Sequence, residues 1–222
     1  MSNVFTASIG KKLIMSISGL FLVVFLLVHL CVNSLLLAGD GRLFNLAAHF
    51  MATNPVIRII EPLLALGLII HILYASTLTL MNQKARPVKY KMVNQSDSST
   101  WASRNMYILG ATVLIFLLIH IINFYWKLKF GEVATINYGN GEIDDTYSLV
   151  TSLFTNWWWF DLIYITGAVL LGLHLTHAFW SAFQTLGWSN DIWRKRLDVT
   201  GIIYSYIIAI GFSVIPLYFL FS

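Results

Sequence analysis

Six histidines occur in the 222-residue chain, and the long apolar runs hold His29, His71, His120, and His174 with its neighbour His177. An ionisable side chain inside a bilayer is costly, so it generally faces a partner, a cofactor or a water-filled path. A single such histidine is as readily a neutral ring bonded to a backbone carbonyl of a neighbouring helix. One on each of four successive runs asks for a shared purpose. With a helical rise of about 1.5 Å per residue, His29 lies about 15 Å before Gly39 and His120 about 10 Å before Lys127. From the same side, His71 lies about 24 Å beyond Pro55 and His174 about 26 Å beyond Trp157. Two tiers of two result, an outer tier of His29 with His120 and an inner tier of His71 with His174. Paired neutral imidazoles are what two bis-histidine haems require, each iron being gripped from opposite faces by ring nitrogens. Zinc suits the pattern less, because a structural zinc site wants four ligands together and no carboxylate or thiolate cluster lies at these depths. His174 and His177 are three residues apart on one helix face, so they cannot serve separate tiers. Either could be the ligand on that run.

The elements that must position these rings are membrane helices. The chain is 58% hydrophobic and only 11% charged, with a mean hydropathy of +0.73, too apolar for an ordinary water-soluble domain. Five runs approach or exceed the roughly 20 residues needed to cross a hydrocarbon core: Leu13–Ala38, Pro62–Met81, Met106–Trp126, Leu162–Leu186 and Val199–Phe221. The fold class expected is therefore all-α, a membrane bundle of five transmembrane helices forming one domain over residues 1–222. Lys11 and Lys12, then Lys84, Arg86, Lys89, Lys91 and Arg104, then Arg194, Lys195 and Arg196 fall in alternate connections. That pattern predicts a cytoplasmic N-terminus and an outside C-terminus. The opposite connection holds Glu132, Glu142, Asp144 and Asp145, and Trp157, Trp158 and Trp159 mark its return to the interface. The net charge of +4 speaks to this orientation and not to nucleic acid. The single cysteine, Cys31, excludes an intrachain disulfide or a cysteine-built cluster. The first run is too long for the apolar region of a signal peptide and is expected to stay attached. No internal repeat is expected.

These residues resemble a known family, the dihaem cytochrome b membrane anchor of succinate dehydrogenase and fumarate reductase in its single-subunit, five-helix form, Bacteroidetes-like in its ending IIYSYIIAIGFSVIPLYF. The resemblance covers nearly the whole chain. It rests on VHLCVN around His29, AAHFM around His49, HILYAS from His71, LIHIIN around His120 and GLHLTHAFWSAFQTLGW in the fourth run. The resemblance implies two b haems, with His29 and His120 as axial ligands of the outer one and His71 and His174 of the inner one, His177 being the alternative to His174. It also implies electron transfer with menaquinone near the outer haem, in a bacterial inner (cytoplasmic) membrane. An iron–sulfur subunit and a flavoprotein subunit with covalent FAD would dock on the cytoplasmic face, and the complex could be dimeric. Succinate itself would be handled by the flavoprotein. Cytochrome b of the bc complexes and the ferric reductases differ, since they put two ligands on one helix.

Histidine titrates near neutral pH, so His49 could hydrogen-bond a quinone carbonyl and shuttle its proton; an ordinary interfacial histidine is the plain alternative. Quinol-oxidising members of the family carry glutamates where this chain has Met51 and Gly172, which leaves the direction of electron flow open. Glu61 could substitute, although an interfacial carboxylate needs no such role. Gly19, Gly67, Gly110, Gly167 and Gly172 would allow close helix approach or room for a porphyrin face. Lysines and arginines at the inner ends could neutralise haem propionates. Two other functions compete. One is a cytochrome b anchor of a hydrogenase or formate dehydrogenase; the other is a haem-free transporter whose histidines form a proton relay. The expected lack of carboxylates within the spans weighs against the relay.

Overall fold

The bundle is built of five helices long and apolar enough to cross a membrane, Ile9–Ala38, Pro55–Lys84, Met106–Phe130, Trp158–Thr185 and Asp191–Phe221. This computed structural model describes residues 8–84, 100–139, 141–188 and 190–221; Arg86, Lys89 and Lys91 of the charge pattern lie outside the described residues. The first run folds as α1 (Ser8–Ser34), tightens into a 3₁₀ turn over Leu35–Ala38 and gives way to α2 (Arg42–Thr53). The second span is α3 (Pro55–Lys84). After the short α4 (Trp101–Arg104), the third span runs through α5 (Met106–His120), a π-helical turn over Ile121–Tyr125 and α6 (Trp126–Phe130). A small antiparallel hairpin of β1 (Thr135–Asn137) and β2 (Glu142–Asp144) pairs Ile136 with Ile143 and leads to α7 (Thr146–Asn156). The last two spans are α8 (Trp158–Thr185) and α9 (Asp191–Phe221).

The spans begin earlier than their apolar cores because capping chemistry lies upstream of them. Asn54 accepts from the backbone N–H of Val56 at 2.9 Å, and Pro55 takes the first helical position, so α3 starts at Pro55 and carries Arg58 and Glu61 in its first turns. Asn190 caps α9 in the same way, accepting from Trp193 N–H at 2.9 Å. The polar stretch Asp191–Asp198 is therefore helical.

Packing is uneven. Helices α8 and α9 lie against each other along much of their length, whereas α3 packs mainly on α1 and touches α5 sparsely. Of the most apolar window of each span, 28% is buried in α8 and in α9 but none in α3, so the protein core sits on the α8–α9 side. Its centre is Leu30, Leu175 and Ile208, and its outer end gathers Leu36, Phe44, Phe124, Val150, Leu153, Phe154, Tyr164, Ile215 and Phe219.

That end is closed by the two connections that carry α2 and the hairpin with α7. Asn45, 1% exposed, donates to Asp145 Oδ1 at 2.9 Å and to the Tyr138 hydroxyl at 3.1 Å, and accepts from Tyr147 N–H at 2.7 Å. One buried amide thus latches α2 to the hairpin and α7. Asp145 also caps α7, accepting from the N–H of Ser148 at 3.1 Å and from its hydroxyl at 2.6 Å. Gly41 turns the chain into α2 at φ 72° with the Tyr147 ring against it, where any Cβ would overlap that ring.

Candidate functional site

The outer tier forms across the bundle. The rings of His29 on α1 and His120 on α5 lie 5.7 Å apart, centroid to centroid, with planes at 89°. A metal–imidazole bond of about 2.0 Å on each side would separate two ligating nitrogens by about 4 Å, and with the ring radii added the centroids would stand about 6 Å apart. The observed spacing is on that scale. Phe25 stacks on His29 at 5.2 Å and Phe212 of α9 reaches it at 5.5 Å. Around His120 stand Phe124 at 5.3 Å, Tyr164 at 6.0 Å and Phe116 at 6.1 Å.

The inner tier is set by glycines. Gly19 of α1 brings its backbone so near His71 that an added Cβ would lie 3.3 Å from His71 Cε1, and Gly110 of α5 does the same to His174 Cε1 at 3.4 Å. His71 and His174 lie within electrostatic reach of each other. His177, one turn on, instead faces Asp198 of α9 and meets Trp180 edge-on at 5.8 Å. His174 therefore lies against α5 as His71 lies against α1, whereas His177 turns towards α9.

A repeat is present after all. FLLVHL ends at Leu30 and FLLIHI at Ile121, each histidine follows a glycine by the spacing Gly19 to His29 or Gly110 to His120, and each glycine cradles the opposite helix's inner histidine. Gly67 of α3 and Gly167 of α8 also lie against a phenylalanine of the partner helix, Phe21 and Phe116, although at different distances in sequence from their histidines. The α1–α3 and α5–α8 pairs are two versions of one histidine-bearing unit.

The donor set suits bis-histidine haem. The Nδ1 atoms of His120 and His174 are buried without a hydrogen-bond partner among the described residues, so these rings hold bonding capacity that the chain does not use; His71 Nδ1 makes no bond of normal geometry, but the Met15 backbone of α1 approaches the ring. His29 is different, since Asn33 Nδ2 stands 3.3 Å from its Nδ1 and donates to its carbonyl at 2.8 Å. No group of three or more His, Cys, Asp or Glu among the described residues is placed to hold a bare metal ion. A porphyrin brings most of the iron's ligands itself, and two imidazoles per site suffice.

Other expected residues fall elsewhere. His49 is exposed on α2 and makes none of the ring contacts around the outer pair. Glu61 bridges two spans at the interface, accepting from the Tyr125 hydroxyl at 2.5 Å and from Lys129 at 2.9 Å. Gly172 packs on α9, where a Cβ would meet that of Ala209 at 2.7 Å. Cys31 is exposed. Glu61 lies in the first turns of α3, where the sequence put it at the interface, and α8 also begins upstream of its apolar core, bringing Asp161 into its first turn. Asp161 is fully buried, and neither carboxyl oxygen has a hydrogen-bond partner among the described residues. The π-helical turn directly after His120 was also missed; such turns are frequent at functional sites.

Comparison of the chain with models of known families, with curated proteins and with solved structures found no match. Function is therefore argued from the site itself.

Proposed function

We propose that this multi-pass membrane protein is the anchor and electron-transfer subunit of a quinone-linked complex of the succinate dehydrogenase or fumarate reductase type, in a bacterial inner membrane. The observation that carries the reading is the approach of His29 and His120 at 5.7 Å from helices distant in sequence, with His71 and His174 set against Gly19 and Gly110 of the same two helices. Two b haems bound there would supply one-electron redox chemistry at two depths. The chain's part is to present neutral imidazoles in pairs, to hold their orientation through the glycine contacts, and to exclude water with Phe116, Phe124 and Tyr164. Lys11, Lys12, Lys84, Arg194, Lys195 and Arg196 share the N-terminal side, which in this proposal is cytoplasmic and receives the iron–sulfur subunit and, behind it, the flavoprotein. Menaquinone would react at the other side, near the outer pair.

The test is a reduced-minus-oxidised spectrum and a haem count on the chain purified with whatever binds it. Two b haems per chain and covalent FAD in a co-purifying subunit are expected. Nickel or molybdenum in that subunit would reassign the partner, and a folded preparation without haem would overturn the reading. The second reading, a haem-free proton relay, is favoured by one observation, the unpartnered Asp161 carboxyl.

A further inference from the structure

Asp161 lies in the first turn of α8, at the end of the bundle closed by α2, the hairpin and α7. Its relative exposure is 0% and both carboxyl oxygens are unpartnered among the described residues. Tyr164 follows three residues later on the same helix face. The Tyr164 hydroxyl is buried and without hydrogen-bond geometry to any described group, although the Asn123 amide of the π-helical turn approaches it. The Tyr164 ring touches Phe116, His120, Phe124 and Phe154. This face of α8 therefore leads from the outer end of the protein to the outer histidine pair through two polar groups set in aromatic surroundings.

A carboxylate gains its stability from donors, and a carboxyl removed from water without them goes over to its neutral acid. The helix N-terminus favours an anion and the backbone N–H of Asp161 acts on its own carboxyl, but neither oxygen makes a hydrogen bond of normal geometry and no charged side chain among the described residues acts on it. We propose that Asp161 is a resident proton-holding site: a neutral carboxylic acid, exchangeable with the outer side, placed to give or take a proton beside the outer pair. Its use in quinone chemistry rests on the proposed function; the existence and exchange of the proton do not. On release the carboxyl O–H bond breaks and an O–H bond to water forms, on uptake the reverse, and no electrons are transferred. The proton passes between Asp161 and water at the outer end.

The experiment uses the full chain in lipid nanodiscs. Dicyclohexylcarbodiimide, which reacts with protonated carboxyls in apolar surroundings, should label Asp161 in preference to the exposed acids Glu132, Glu142 and Asp144. The infrared absorption of a protonated carboxyl should shift in heavy water and disappear in Asp161→Asn. Asp161→Glu should restore a carboxyl band and guards against misfolding of the asparagine variant. Labelling in a preparation that binds no haem would still support the proton site while removing the electron-transfer reading. Absence of labelling together with an unchanged carboxyl band in Asp161→Asn would show an ionised side chain and overturn the inference. A band that does not shift in heavy water would overturn it too, since a locked proton serves no exchange.

Discussion

The two histidine-bearing pairs, α1–α3 and α5–α8, share a glycine, a histidine and an aromatic ring at corresponding positions, yet they are built into the protein differently. In α5–α8 the outer histidine is walled by Phe116, Phe124 and Tyr164, and the latter two belong to the buried outer core with Phe154 and Phe219. In α1–α3 few residues are fully buried, α3 contributing only Leu78. The outer histidine there is steadied by Asn33 and Phe25 of its own helix and by Phe212 of α9. A common unit thus serves once as a rigid wall and once as a lipid-facing flank. The difference lies in what α7 adds, since α9 reaches the outer histidine of one unit and the walling residues of the other.

The largest effect tests whether the two units face each other as pairs. His29→Ala and His120→Ala should each remove the same one of two haems, and His71→Ala and His174→Ala the other, while His177→Ala keeps both. Haem content per chain and the spectral component lost are the measurements. Loss of one component by His29→Ala and of the other by His120→Ala would break the pairing and with it the comparison.

Next come the glycine cradles. An alanine Cβ at Gly19 or Gly110 would stand 3.3 or 3.4 Å from the ring it faces, a tight contact that a few tenths of an ångström relieve. Gly19→Ala and Gly110→Ala should therefore retain haem with a small shift of the inner component. Gly19→Leu and Gly110→Leu should lose most of it, because a branched side chain displaces the histidine. Equal outcomes at the two positions would sharpen the likeness of the units. Sensitivity at Gly110 alone would show that the lipid-facing flank yields where the walled one cannot.

Hydropathy made the five spans legible, and helix rise alone put His29 at the depth of His120, because both depend on properties that accumulate along one chain. The helix starts were harder: Asn54–Pro55 and Asn190–Asp191 are capping signals that lie in polar sequence and extend α3 and α9 past their apolar cores. Asp161 was lost through that same error, its span being begun at Leu162. The repeat was hidden for another reason. Gly19 and Gly110 correspond in meaning only once each is seen against the histidine of another helix, and a sequence read singly has no cross-helix register. His49 is exposed on α2, away from the ring contacts of the outer pair among the described residues, a placement that residue type cannot reveal.

Smaller effects are expected at the latch that closes the outer end. Asn45→Ala leaves Tyr147 N–H and one lone pair of Asp145 without their buried partner and should cost about 2 kcal/mol. A lower thermal midpoint in detergent would register the loss. If the latch protects the walled unit, the outer haem's spectrum should broaden while the inner one is unchanged. Equal broadening of both would mean that α2 and α7 brace the whole bundle.

The smallest effect is a pH dependence of that latch. Burial pushes the Asp145 carboxyl up, but hydrogen bonds from the Ser148 hydroxyl, the Asn45 amide and the Ser148 backbone outweigh it and hold the group below its ordinary value. A carboxyl depressed on folding contributes stability that is complete above the unfolded-state value and is lost as pH falls through the folded-state one. The native protein should therefore keep its midpoint down to the ordinary aspartate range and lose part of it below, as protonation removes acceptors from Asn45 and Ser148. Asp145→Asn should be less stable than the native protein near neutral pH and should have a smaller acid-side decline. Thermal midpoints of the two proteins against pH would show the curves converging as the acid limb is descended. Parallel curves would mean that the acid limb belongs to other carboxyls and that Asp145 is held by position alone.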